Sequence, residues 1–245
     1  MLRGYTPDGQ GTGGYSVSGG VALSTLVTGL VAYWSLDETS GTRADSVGSA
    51  DLTDNNTVGS AAGKNSNAAS FVAANTESLS IADFVMPDSY TISLWSSKSA
   101  GDSYPALVKA CGATWYTQAQ VVVYWSEAAV LRCLVGDGTN YPTADIGSLT
   151  ATNLNFVVAT YDASSKKCGL SVNGSAVTLS AALAGTRYNT ATTFSIATGD
   201  TGDVPNRITG LIDEVGLWSR VLTEDERAEL YNSGTGKFFN GTDFV

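Results

Sequence analysis

Residues 210–232, GLIDEVGLWSRVLTEDERAELYN, hold the turning point of the chain. The first half has strand character. Ile208, Gly210, Ile212 and Glu214 alternate with Thr209, Leu211, Asp213 and Val215, and each set mixes apolar with polar residues. A sandwich strand with one wet face would alternate cleanly, so this pattern predicts a strand whose centre is covered on both sides. The second half changes period. Thr223 followed three residues later by Glu226 is a capping box, and the acidic run of Glu224, Asp225 and Glu226 suits the positive end of a helix dipole. Ala228, Leu230 and Tyr231 supply an apolar side, and Gly234 is the expected stop. A single short helix over 223–233 is therefore expected after a β body.

Working back from that point, the chain reads as short strands divided by turns. Residues 90–96, YTISLWS, put Ile92 and Leu94 on one face and Thr91, Ser93 and Trp95 on the other. Further strands are expected at 30–36, 69–72, 78–81, 120–125, 130–135, 155–161, 169–172, 176–179, 194–198 and 208–218. Asn173-Gly174 is a strong hairpin turn signal. Such regular spacing predicts an all-β, two-sheet antiparallel sandwich of jelly-roll type.

Composition excludes several functions. The 245 residues carry 13 Lys+Arg against 23 Asp+Glu, a formal charge of −10, which argues against nucleic acid and against an anionic membrane surface. There is no histidine, so Ser-His-Asp, Cys-His and His-based zinc chemistry are ruled out. Cys111, Cys133 and Cys168 are an odd set without metal-ligand spacing; they read as buried thiols, with a Cys111–Cys133 approach across neighbouring strands as the alternative. Residues 1–29 are glycine-rich and polar, unlike a signal peptide, and GQGTGG at 9–14 lacks the strand-helix context of a phosphate loop. The expected organisation is an anchoring arm at 1–29, a sandwich at 30–233 and a tail at 234–245.

Several stretches resemble the LamG-like branch of the concanavalin A-like lectin/glucanase superfamily. They are LVAYWSLDETSGTRADSVGS at 30–49, GKNSNAASF at 63–71, YTISLW at 90–95, NFVVATYDASSKKCGLSVNGSAV at 155–177 and, most specifically, 210–232. The resemblance implies two stacked antiparallel sheets. It also implies a structural calcium held by Asp45 and Asp213. The residues alone leave open a different reading, in which such an aspartate satisfies backbone N–H groups at a turn. The loop at 45–52 lacks the Asn that usually follows its glycine.

Catalysis finds no support in the pattern. The resemblance implies that glycosidases on this fold carry acidic residues alternating along one strand, and no such run occurs; the densest one, 224–229, lies on the helix. A cluster of aromatics, Trp115, Tyr116, Tyr124 and Trp125 with Tyr104 and Tyr141 nearby, is read three ways: hairpin core, protein interface or glycan platform. The functional expectation is a structural or binding protein without catalysis. Its most concrete form is a bacteriophage virion component, made in the host cytoplasm and joined to other virion proteins through residues 1–29. A carbohydrate-binding lectin-like module is the alternative. Particle symmetry would suit a homo-oligomer, although no residue pattern specifies one.

Overall fold

A computed structural model describes residues 24–99, 102, 104–126, 129–198 and 207–245. Most of the expected arm, residues 1–23, lies outside the described residues. The body is a sandwich of two sheets in which every described strand pairing is antiparallel. The first sheet runs β13 (Thr178–Leu179), β12 (Lys167–Val172), β11 (Asn155–Asp162), β6 (Tyr90–Lys98), β15 (Gly210–Trp218), β4 (Asn67–Phe71) and β3 (Gly59–Ala62), and β1 (Leu30–Trp34) also joins β15. The second runs β10 (Thr143–Ile146), β9 (Val130–Leu134), β8 (Ala119–Ser126), β7 (Ala106–Cys111), β14 (Thr192–Ile196), β5 (Ser78–Phe84) and β2 (Thr53–Asn55). The expected sandwich is therefore present. Among the described residues no helix is long and apolar enough to cross a membrane.

Period-2 alternation fills the space between the sheets. Ile92 and Leu94 of β6, Val157 and Ala159 of β11, Val121, Val123 and Trp125 of β8, and Phe194 and Ile196 of β14 meet there. Trp34 stacks on Phe194, with ring centroids 5.5 Å apart. Cys133 and Cys168 are both fully buried in this core, and the Cys168 thiol points at the Cys133 carbonyl (3.6 Å). Cys111 lies on the opposite face of the second sheet, two strands from Cys133, so the Cys111–Cys133 approach does not form. All three thiols are free.

The outer face of the first sheet is also covered, as the pattern at 208–218 predicts. Tyr33, Trp95, Phe156, Val158 and Trp218 point outward from the sheet and meet Leu26, Leu222, Leu230 and Phe244. A 3₁₀ turn at Thr25–Val27 lies against the sheet, and the Trp218 indole N–H donates to the Leu26 carbonyl at 2.6 Å. At the other end, Phe244 packs on Trp218 and on Tyr33 (centroids 5.9 and 5.7 Å). The described residues at both extremes of the sequence thus pack on this face. Within the expected arm, residues 24–29 pack against the sandwich, and so does the expected tail at 234–245.

Helix α1 (Glu224–Tyr231) carries the expected capping box at Thr223 and Glu226. Its stop differs from expectation: Asn232, at φ +45°, is the left-handed C-cap, ahead of Gly234. Asn is the residue that most often replaces Gly in this left-handed backbone. Strands β2, β3, β7 and β10 were not anticipated from the sequence. Three of the four, β2, β3 and β10, are edge strands of three or four residues, too short to show a period.

Candidate functional site

The aromatic cluster sits on the outer face of the second sheet, and the pleat of β8 divides it. Tyr124 points outward with Val122, whereas Trp125 points into the core and is fully buried. Trp125 is therefore a core residue and leaves the set of surface candidates. The loop 112–118 folds down over the outward face and brings Trp115 edge-on to Tyr124, with centroids 5.2 Å apart. Gly136 makes the approach possible: a Cβ there would lie 2.2 Å from the Thr117 carbonyl and 2.4 Å from that of Tyr116. Tyr104 and Tyr116 are half-buried against the same layer.

The layer grades from buried to open. Trp115 and Tyr124 are 6% and 2% exposed. Tyr116 rests on both, and Tyr141 stacks on Tyr116 at 5.2 Å and 25°. Tyr141 is 47% exposed and borders a groove of about 380 Å³ with Asn140, Pro142, Ala182 and Ala184. Of the six aromatic candidates, then, the structure assembles five on one face and leaves one of them, Tyr141, about half exposed.

Polar side chains that the sequence reading missed complete this face. Arg132 of β9 lies opposite both Tyr124 and Asp145 in register. Its guanidinium makes paired bonds to Asp145 (2.8 and 2.6 Å), donates to the Tyr124 hydroxyl (3.1 Å) and lies 5.8 Å from that ring. The hydrogen-bonded guanidinium holds the Asp145 carboxyl below its ordinary range, while burial raises the Tyr124 hydroxyl. Lys109, in register between Val122 and Ser195, borders a second cavity of about 410 Å³ on this sheet. Cross-strand neighbours of this kind become visible only once register is known.

Asp45 and Asp213 are held differently from the calcium expectation. Asp45 Oδ1 accepts the N–H groups of Tyr33 and Val47 (both 3.0 Å), and Oδ2 accepts that of Ala50 (3.1 Å). Asp213 Oδ2 accepts from the Lys64 and Asn65 amides (2.6 and 3.4 Å), while Oδ1 is buried without a partner. These carboxylates share no donor. Among the described residues no group of three or more His, Cys, Asp or Glu side chains could hold a metal ion. Calcium takes six to eight oxygens, and N–H groups aimed at a carboxylate occupy the side a cation would need. As arranged, Asp45 and Asp213 do not fit a shared calcium ion, and Asp45 takes the turn role instead.

Asp213 is part of a buried acid pair. A bulge in β15 gives Glu214 φ +52°. Tyr33 donates its hydroxyl to Glu214 Oε2, and Asn65 Nδ2 donates to Oε1 at 2.9 Å. Burial pushes Asp213 up to about 7, with a smaller push from the Asp37 charge. Burial likewise takes Glu214 up to about 8, against the two donors. At 0% and 3% exposure this pair cannot reach an external substrate. Its position gives it a structural role.

A family model, Laminin_G_3 of the concanavalin A-like lectin/glucanases superfamily, matches residues 65–226. Comparison with curated protein sequences finds no match. Among solved structures, the chain is similar to the binding domain of Paraclostridial Mosquitocidal Protein 1 (TM-score 0.67, 16% identity, 84% of this chain and 52% of that one). It is similar to domain 4 of a GH43 extracellular arabinanase from Geobacillus stearothermophilus, in complex with arabinotriose (TM-score 0.61, 16% identity, 84% and 98%). A third likeness is to a structure of botulinum neurotoxin type C, whose cell entry depends on two ganglioside molecules (TM-score 0.66, 12% identity, 84% and 51%). The chain spans about half the length of the two toxin structures. At these identities the likeness establishes the fold.

Proposed function

This chain belongs to the Laminin_G_3 family of the concanavalin A-like lectin/glucanase superfamily, and from that premise we propose that it is a non-catalytic binding module for a surface glycan. The observation that carries the reading is Tyr141. An exposed ring, backed by Tyr116 and beside a groove of about 380 Å³, is the arrangement that stacks a sugar ring while neighbouring polar groups orient its hydroxyls. Arabinotriose in the arabinanase domain and gangliosides in the neurotoxin support the same reading by fold analogy. The test is a glycan array with the wild-type protein and Tyr141→Ala. Specific binding lost in the variant supports the module; no binding to any glycan overturns it.

The finer setting we propose is a bacteriophage particle, as capsid decoration, head fibre or tail appendage, with the N-terminal arm as the anchor. The support is compositional: a glycine-rich arm and an acidic chain without histidine. Because residues 24–29 belong to the folded body, the truncation that tests this ends at residue 23. Loss of incorporation into particles by a chain that still folds is the expected result, and full incorporation of the truncated chain would count against it.

A further inference from the structure

We propose a second binding site, for the carboxylate of an acidic sugar, in the cavity floored by Arg187 and Tyr161. The cavity holds about 350 Å³, and Asp88, Ala163, Lys166 and Asn189 stand around it. That volume lies at the small end of ligand pockets, enough for one sugar ring and its substituents.

Arg187 is the reason to expect a ligand with a negative charge. It is 5% exposed, and its guanidinium carbon lies 5.5 and 5.2 Å from the Tyr90 and Tyr161 rings. Nη2 donates to the Pro87 carbonyl (2.8 Å), the Met86 carbonyl (3.3 Å) and Asn189 Oδ1 (3.3 Å), and Nη1 to the Gln120 carbonyl (3.4 Å). All four acceptors are neutral. Among the described residues no carboxylate forms an ion pair with Arg187, and its Nε–H donates to no described group. A buried cation without a counter-charge is costly, and the rings and carbonyls offset only part of that cost. Arg187 lines the cavity, and a carboxylate that reached its unused Nε–H would gain a charge-assisted bond in a shielded site.

The surroundings narrow the class. Lys166 adds a second cation at the rim, with no ion pair among the described residues; two carboxylates stand near, Asp88 in the lining and Asp162 beside Tyr161, so the four charges leave no surplus for a doubly charged ligand. A singly charged acid fits that balance better than a doubly charged phosphate. Asp88 and Asn189 offer acceptors for hydroxyl groups. The carboxylate preference follows from Arg187 alone; assigning it to a sugar rests on the binding-module reading.

The test is calorimetric binding of the full chain to glucuronate-, galacturonate- and sialate-terminated oligosaccharides, to the carboxyl-reduced counterpart of each, and to a sulfated neutral sugar. We expect an acid to bind and its reduced counterpart not to. Lys166→Gln should weaken binding about threefold, as for an exposed ion pair. Arg187→Lys should weaken it at least about tenfold, since the fork geometry is lost. If Arg187→Lys fails to fold by thermal melt, Ala163→Trp, which fills the cavity from its exposed wall, should abolish binding with the melt retained. Equal binding of acid and reduced forms, acid binding untouched by these variants, preference for the sulfated sugar, or no binding by any acid would each overturn the site. Neutral-glycan binding lost in Tyr141→Ala, with no acid bound by the wild-type chain, would overturn this site and leave the module reading standing. No binding to any sugar, neutral or acidic, would overturn both.

Discussion

The outer faces of the two sheets start from similar aromatic material and end in opposite states. On the first sheet Tyr33, Trp95, Phe156 and Trp218 are sealed under the 3₁₀ turn at Thr25–Val27, helix α1 and the C-terminal segment. On the second, Tyr124 is covered by Trp115 and Tyr116 of one loop, and the layer ends in open Tyr141. Segments far apart in sequence close the first face, with residues 24 and 243 joined through the Asp243 carboxylate at 2.9 Å. The second face keeps two cavities and a bidentate ion pair at its surface. One sheet thus secures the body while the other presents chemistry, a division that lets surface residues change with little effect on folding.

The sharpest way to break this contrast is to open the sealed face. Trp218 is fully buried and bonded to Leu26. Trp218→Ala should cost about 3–5 kcal/mol in equilibrium denaturation, the range for a large core aromatic. A loss below about 1 kcal/mol would mean that residues 24–29 and 234–245 do not seal the sheet.

The buried acid pair makes the same face sensitive to pH. Asp213 and Glu214 have raised affinities for a proton, about 7 and about 8, above their ordinary values of 3.8 and 4.5. Their contribution to stability is therefore fully present below about pH 4 and lost as pH rises through about 7 to 8. Tyr33, Asn65, the Lys64 amide and Asp37 face the pair, while the Lys64 ammonium is turned to the Trp95 ring and the Gly234 carbonyl (4.5 and 2.5 Å). Melting temperature should fall between pH 5 and pH 8, and Asp213→Asn should flatten that fall. A flat wild-type profile would refute the pairing. A smaller effect should come from Arg220, which bridges Glu226 (2.7 Å to each oxygen) and the Thr25 and Thr28 carbonyls (2.9 and 2.7 Å). Arg220→Ala should cost about 1 kcal/mol in the same denaturation experiment.

The sandwich was legible because its evidence is local. The alternation at 90–96 and the capping box at Thr223 are set by neighbours within four residues, and both are present in the fold. The site was legible only in outline. The sequence could gather Tyr104, Trp115, Tyr116, Tyr124, Trp125 and Tyr141, but not separate Trp125 from the rest, because which parity of β8 faces the core depends on its register with β7 and β9. The two readings of Asp45 and Asp213 could not be separated for a related reason: their partners are backbone amides, those of Asp213 148 and 149 residues distant, which leave no trace in side-chain pattern. Arg187 also escaped notice. Its two rings and four acceptors come from several separated segments.

The smallest expected effect on stability is the most telling about the open face. Tyr141 is 47% exposed, stacks on Tyr116 and borders the groove. Tyr141→Ala should therefore change unfolding free energy by no more than about 0.5 kcal/mol. The Tyr116 ring beneath it would become exposed and could replace part of the stacking surface, so the double variant Tyr116→Ala/Tyr141→Ala is the stricter comparison. If the second face is a presentation surface, the single variant should weaken glycan binding and the double variant should abolish it, with melting temperature nearly unchanged in the first. A single variant that unfolds the protein would place Tyr141 with Trp218 as a structural residue, and the division between the two sheets would no longer hold.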